Sequence, residues 1–90
     1  MRAAIITGTS RGLGEALAAE LLARGQVVLG IGRSDSARLA GPSYRFVECD
    51  FAQPERIGAT VGPALRELAA TGPAAVALVN NPAVAWPVAC

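Results

Sequence analysis

The residues Thr7-Gly8-Thr9-Ser10-Arg11-Gly12-Leu13-Gly14 follow directly on the apolar run Ala3-Ala4-Ile5-Ile6. A strand, three glycines at this spacing and then a helix form the arrangement that closes main chain around a pyrophosphate. Gly8 permits a tight turn off the strand. Gly12 lets the main chain approach the phosphates with no Cβ in the way. Gly14 lets the helix pack closely on the strand. Phosphate charge then meets free N–H groups and the positive end of the helix dipole. The candidate binding set is Gly8, Thr9, Ser10, Arg11, Gly12, Leu13 and Gly14. The competing reading of these residues is a plain glycine-rich strand-to-helix turn.

Other chemistries spelled by the same letters fail on what the chain lacks. Gly8-Thr9-Ser10-Arg11-Gly12 also reads as the G-x-S-x-G turn that exposes a nucleophilic serine. That serine needs a histidine base, and the chain has no histidine. A phosphate loop of the Gly-Lys-Ser/Thr kind needs one more residue of spacing and a lysine. All eight basic residues are arginine. Cys49 and Cys90 make no metal or redox spacing and read as free thiols in a reducing compartment. No catalytic residue and no metal ligand is assigned.

The elements that must position the turn alternate. Ala3 to Thr7 reads as a strand buried on both faces, being apolar without alternation. Gly12 to Arg24 reads as a helix with Leu13, Ala16, Leu17 and Leu21 on one stripe, a Glu20–Arg24 pair and a stop at Gly25. Val27 to Ile31 is a second buried strand, closing at Gly32-Arg33. Ser34 to Ser43 reads as a loop with room for one helical turn near Ala37 to Ala40. Tyr44 to Cys49 is a third, more polar strand suited to an edge. Pro54 opens a second helix, with Ile57, Val61, Leu65 and Leu68 as its stripe. An interior proline costs roughly 3 kcal/mol, so a kink near Pro63 or two shorter helices are expected. Gly72-Pro73 ends that segment. Ala75 to Val79 is a fourth buried strand, broken by Asn80-Asn81-Pro82. The expected fold is α/β, a Rossmann-type doubly wound parallel sheet of four strands in order 3-2-1-4. Its ligand edge lies at the carboxyl ends of the strands.

Taken together, TGTSRGLG, Asp50-Phe51 after the third strand and Leu78-Val79-Asn80-Asn81 after the fourth resemble the first half of a short-chain dehydrogenase/reductase. That family carries TGxxxGxG near the N-terminus and NNAG after the fourth strand. The resemblance covers essentially all of residues 1–90, and TGTSRGLGEALA is similar to the sepiapterin and benzil reductase branch. It implies an NAD(P)-binding Rossmann half-domain, incomplete relative to the family, with one domain spanning 1–90. Asp50 would accept from the adenine amino group, Phe51 would give a main-chain contact, and Asn80 and Asn81 would line the adenosine ribose. The residues leave simpler roles open: a helix-terminal acid for Asp50 and strand termination for the two asparagines.

The end of the second strand speaks to cofactor choice. An NAD enzyme places an acid there for the ribose 2′-hydroxyl. This chain has Gly32, then Arg33 and Ser34. An arginine suits a 2′-phosphate by charge and by its planar fork of donors. With Arg11 as a second cation, the expectation is NADP over NAD. Asp35 is the alternative acid, should the strand end later.

The chain departs from the family at Pro82 and Ala83, which replace the last two residues of NNAG, and in its extent. The family's catalytic serine, tyrosine and lysine follow the fourth-strand loop. Tyr44 has Glu48 where that tyrosine has lysine, so Tyr44 reads as strand packing. The resemblance therefore implies the NADP(H)-binding portion of an oxidoreductase that moves hydride between nicotinamide and a carbonyl or alcohol substrate. These residues alone are expected to be inactive. The alternative is a truncated, non-catalytic nucleotide-binding module.

Composition bounds the partners. An apolar fraction of 52% with 17% charged residues argues against disorder. A net charge of +1 with 4% aromatic residues argues against nucleic-acid binding. No run approaches the roughly 18 apolar residues of a membrane span, and no signal peptide is expected ahead of the first strand. A cytoplasmic protein with a small-molecule substrate is expected, and a homo-oligomer is compatible with the pattern.

Overall fold

The computed structural model describes residues 2–10, 12–50 and 52–79. Over them the chain forms β1 (Arg2–Thr7), α1 (Gly12–Ala23), β2 (Val27–Gly32), β3 (Tyr44–Glu48), α2 (Pro54–Ala70) and β4 (Ala75–Val79). The strands pair in parallel in the order β3-β2-β1-β4, as the alternation of elements predicts. Ile6 stands beside Gly30 on one side and Val79 on the other, so the strands' carboxyl ends share one edge.

Alternation along the strands divides the core between two faces. Ala4, Ile6 and Val28 pack with Ala18 of α1 and with Leu39. Ala3, Leu29 and Ile31 pack with Val61, Ala64 and Leu68 of α2 and with Cys49. Each helix thus covers its own face of the sheet, which is the Rossmann-like, doubly wound architecture.

α1 does not seat the stripe read from the sequence. Gly14 and Ala18 are its buried residues. Leu17, Leu21 and Leu22 pack partly behind them, whereas Ala16 is exposed and Leu13 is 75% exposed. The helix is apolar nearly all round, so periodicity does not select a face; the smallest residues do, because they let the helix approach the sheet. Its end is as expected. Gly25 takes φ 79°, its N–H donates to Leu22 O at 3.0 Å, and Gln26 N–H donates to Leu21 O at 3.0 Å, a Schellman closure. The Glu20–Arg24 pair forms at 3.1 Å, with both side chains exposed.

α2 runs from Pro54 to Ala70 as one helix with Pro63 inside it, not as two. The buried stripe is Val61, Ala64 and Leu68, flanked by Ile57; Leu65 faces outward. Pro63 is exposed, so its missing donor falls on the solvent side while the opposite face holds the helix to the sheet.

No helical turn forms over 37–40. Ser34 to Ser43 is pinned instead: Ser36 Oγ donates to Glu15 on α1, Arg38 N–H donates to Ser36 Oγ at 3.0 Å, and Leu39 enters the core. β4 is also not buried. Val76 is 51% and Leu78 71% exposed, because among the described residues nothing packs on them or pairs beyond this strand.

Candidate functional site

The glycine-rich turn leaves β1 at the shared edge. Gly8 takes φ 74° and Gly12 φ 66°, in the left-handed region that favours glycine. The Gly8 N–H donates to Ile31 O at 2.9 Å, so it extends the sheet and is not free for an anion. The first-turn amides of α1, beginning at Gly12, have no acceptor within the helix. A Cβ on Gly12 would meet nothing within 4 Å, so the turn opens to solvent there. Gly14 is buried, as close packing on the sheet requires. Ser10 is half-buried and Leu13 stands exposed beside the opening. Thr9 is fully buried, main chain included, and its hydroxyl faces inward to Tyr44, so it supports the turn from within and presents no surface to a ligand. Arg11 lies outside the described residues.

Beside the turn stands the end of β2. A Cβ on Gly32 would lie 3.8 Å from Gly8 N, in ordinary contact. Position 32 therefore overlooks the turn and carries no side chain to reach across it. Arg33 and Ser34 follow, both exposed. Arg33 lines a depression of about 330 Å³ with Glu48, Cys49, Asp50, Gln53, Arg56 and Thr60. Neither Arg33 nor Arg56 forms an ion pair among the described residues. Asp50 Oδ1 accepts from Ala52 N–H at 2.9 Å, which stabilises the turn between β3 and α2 and leaves the second carboxylate oxygen available. It does not cap α2, whose N-cap is Gln53. Cys49 is a buried free thiol; burial, then the Asp50 charge, push its pKa up. Phe51, Asn80 and Asn81 lie outside the described residues.

Tyr44 packs as its place in an edge strand predicts: its ring joins the α1-side core. Its hydroxyl does more. It donates to Asp35 Oδ1 at 2.7 Å and lies 3.2 Å from Thr9 Oγ1. The space for this contact exists because position 30 is glycine: a Cβ there would come 2.9 Å from the Tyr44 hydroxyl. The available signal was a glycine inside an otherwise β-branched and leucine strand, which marks close approach of another group. The Asp35 carboxylate also accepts from Ser36 N–H at 2.7 Å.

The turn ends in a helix start whose first amides have no acceptor within the helix, and Arg33 follows the neighbouring end of β2. Among the described residues no group of histidine, cysteine or carboxylates could hold a metal ion, and no helix is long and apolar enough to cross a membrane.

An open parallel sheet with a glycine-rich crossover at its carboxyl edge is the framework of Rossmann-like domains. The short chain dehydrogenase family model matches residues 2–89, and the chain belongs to that family of oxidoreductases. Among solved structures it is similar to a short-chain dehydrogenase/reductase from Burkholderia vietnamiensis, with 36% identity and a TM-score of 0.85 over 97% of this chain and 43% of that one. A short-chain dehydrogenase/reductase from Saccharomyces cerevisiae is 26% identical, with a TM-score of 0.71 over 98% of this chain and 36% of that one. The Bordetella bronchiseptica enzyme WbmH, solved in complex with NAD+, is 26% identical, with a TM-score of 0.64 over 97% and 28% of the two chains. The chain thus spans less than half the length of each of these structures. No curated protein matches it. The sepiapterin reductase branch is not distinguished by these likenesses.

Proposed function

We propose that this chain is the NADP(H)-binding portion of a short-chain oxidoreductase that transfers hydride between a nicotinamide ring and a carbonyl or alcohol substrate. The observation that carries the cofactor choice is the end of β2. Gly32 places no acid over the glycine-rich turn, and Arg33 stands beside it without an ion pair among the described residues. The turn itself fits a dinucleotide: two glycines at positive φ, open space at Gly12 and a helix start whose first amides have no acceptor within the helix.

In this reading the Gly12 and Leu13 amides donate to the diphosphate, with Ser10 and Arg11 beside them. Arg33 and Ser34 hold the ribose 2′-phosphate. The free oxygen of Asp50 accepts from the adenine amino group, Phe51 offers main chain, and Asn80 and Asn81 line the adenosine ribose. The nicotinamide, when bound, supplies or accepts the hydride. The residues of this chain grip and orient the cofactor; without lysine or histidine they are not proposed to move the substrate's proton. A small-molecule substrate, a cytoplasmic setting and assembly with further copies belong to the same proposal.

Melting the chain in the presence of NADPH or NADH tests this. A ligand that binds the folded form alone at about 100 times its Kd adds roughly 2.7 kcal/mol. NADPH should raise the midpoint more than NADH at equal concentration. A larger shift with NADH would remove the NADP assignment, and no shift with either would remove nucleotide binding.

A further inference from the structure

We propose that Tyr44 sets cofactor preference by position: its hydroxyl holds the Asp35 carboxylate toward the α1 side of the sheet and leaves Arg33 as the charged group at the ribose site. This rests on the NADP(H) reading above.

β2 ends at Gly32, so Asp35 lies in the loop three residues beyond it and two beyond Arg33, close enough in the chain for its carboxylate to favour a 2′-hydroxyl and repel a 2′-phosphate if it turned toward the ribose. It is exposed, so packing does not decide where its charge points. Two hydrogen bonds do. Tyr44 O–H and Ser36 N–H both donate to Oδ1, each at 2.7 Å. The tyrosine belongs to the α1 face, where its ring packs in the same cluster as Ala4, Ile6 and Val28. Arg33 belongs to the other side, lining the depression with Gln53, Arg56 and Thr60 near the start of α2. The two neighbouring charges are therefore drawn to opposite faces of the sheet edge.

The tyrosine is itself held. Its hydroxyl sits over Gly30, and because its own proton goes to Asp35, the Thr9 hydroxyl is the donor in their 3.2 Å contact. Thr9 lies in the glycine-rich turn between Gly8 and Gly12. One chain of hydrogen bonds thus runs from the phosphate turn through the β3 edge to the acid that would oppose a phosphorylated ribose. Removing the tyrosine hydroxyl leaves Asp35 a single local tether, and its charge becomes free to approach the 2′ position.

Tyr44 is a positioning residue in this account, and the readout is a ratio of affinities. NADPH and NADH are titrated against the chain and against the Tyr44→Phe, Asp35→Asn and double variants, with melting curves to establish folding. Tyr44→Phe should lower the NADPH-to-NADH affinity ratio by about five-fold, the scale of one exposed charge interaction. Asp35→Asn should leave the ratio unchanged, because its amide oxygen still accepts both hydrogen bonds. The double variant should recover the starting ratio. An equal loss for both nucleotides in Tyr44→Phe would mean that the tyrosine only anchors the turn, and would overturn the proposal. So would an unchanged ratio, or a double variant that keeps the Tyr44→Phe ratio. If Tyr44→Phe does not fold, Asp35→Asn decides: a ratio raised several-fold means that Asp35 already faces the ribose. If the unsubstituted chain binds neither nucleotide, the functional reading falls and takes this inference with it; the outcomes above fall on the tyrosine alone.

Discussion

Gly30 and Thr9 share one space: a Cβ built on Gly30 would lie 2.6 Å from Thr9 Oγ1. Thr9 is fully buried and cannot swing aside into solvent. The strand and the glycine-rich turn therefore touch main chain to side chain, and the Tyr44 hydroxyl closes the same contact at 2.9 Å from that position. Gly30→Ala should destabilise the chain by about 1–3 kcal/mol, the usual range for overpacking. Denaturant melts give the number. A loss below about half a kcal/mol would mean that the turn shifts freely.

Gly25 and Gly12 isolate a different effect. Both take positive φ, 79° and 66°, and a Cβ on either would meet nothing within 4 Å. Alanine at either site should lose about 1–2 kcal/mol through backbone conformation alone. The two variants should part on nucleotide binding. Gly25→Ala, at the far end of α1, should leave the NADPH affinity of the folded chain unchanged. Gly12→Ala should weaken it by about ten-fold or more, since its amide faces the proposed diphosphate. Equal affinities in the two would separate Gly12 from the ligand.

The facing of α2 can be checked by truncation. Leu68 is 8% exposed and Leu65 is 40% exposed. Leu68→Ala should cost about 2–3 kcal/mol, toward the low end for a core leucine because the domain is small. Leu65→Ala should cost well under about 1 kcal/mol. Comparable losses at the two positions would mean that Leu65 packs as well, as the stripe read from periodicity had it, and a larger loss at Leu65 would mean that the helix faces the other way.

That periodicity shows where the sequence was legible. Strand order and the sites of the turns could be read because each rests on a strong local signal: an apolar run, a glycine forced to positive φ, or Pro54 at a helix start. The facing of the helices could be read only in part: Ile57, Val61 and Leu68 of α2 and Leu17 and Leu21 of α1 pack as expected, but Leu13 and Leu65, chemically indistinguishable from the leucines that pack, do not. In α1 the choice falls to Gly14 and Ala18, whose value is the absence of bulk, which an apolar count ignores. Exposure of β4 was not legible, since Val76 and Leu78 are typical of a buried strand and only their surroundings decide. Among candidate site residues, Gly8, Arg33 and Asp50 follow the ends of β1, β2 and β3 and Gly12 opens α1, so all four fall at the carboxyl edge of the sheet. The links from Tyr44 to Asp35 and Thr9 join residues 9 and 35 apart in sequence, and no short-range pattern encodes them. The pinning of Ser36 on Glu15 is of the same kind, which is why a loop was expected there but not its anchorage.

The tyrosine link also has a pH signature. Tyr44 is raised from 10.0 to about 12, chiefly by burial; the Thr9 hydrogen bond opposes this, while the hydrogen bond to Asp35 and the Asp35 charge add to it. A phenol is neutral when protonated, so the folded chain holds this proton more tightly than the unfolded chain does. The stabilising contribution is then fully present below about pH 10 and is lost as pH rises toward about 12. The chain has a single tyrosine, so tyrosinate absorbance during alkaline titration reports this residue. The folded chain should ionise near pH 12, and the Tyr44→Phe variant should lose less stability over that window. A midpoint near pH 10 in the folded chain would mean that the hydroxyl is not held as described.

Gly32 offers the direct reversal of cofactor choice. A Cβ there makes ordinary contact, 3.8 Å from Gly8 N and 3.9 Å from Gly8 Cα, and the residue is not among the glycines at positive φ. Aspartate should therefore be accepted with a stability change within about half a kcal/mol. Its carboxylate would reach over the turn, where it can accept from a ribose 2′-hydroxyl and repel a 2′-phosphate. Gly32→Asp should weaken NADPH by about ten-fold or more and strengthen NADH, moving the two affinities in opposite directions. Opposite movement is the informative part. A variant that merely disturbed the turn would weaken both, and one whose side chain pointed away would change neither, so either outcome would mean that position 32 does not overlook the ribose.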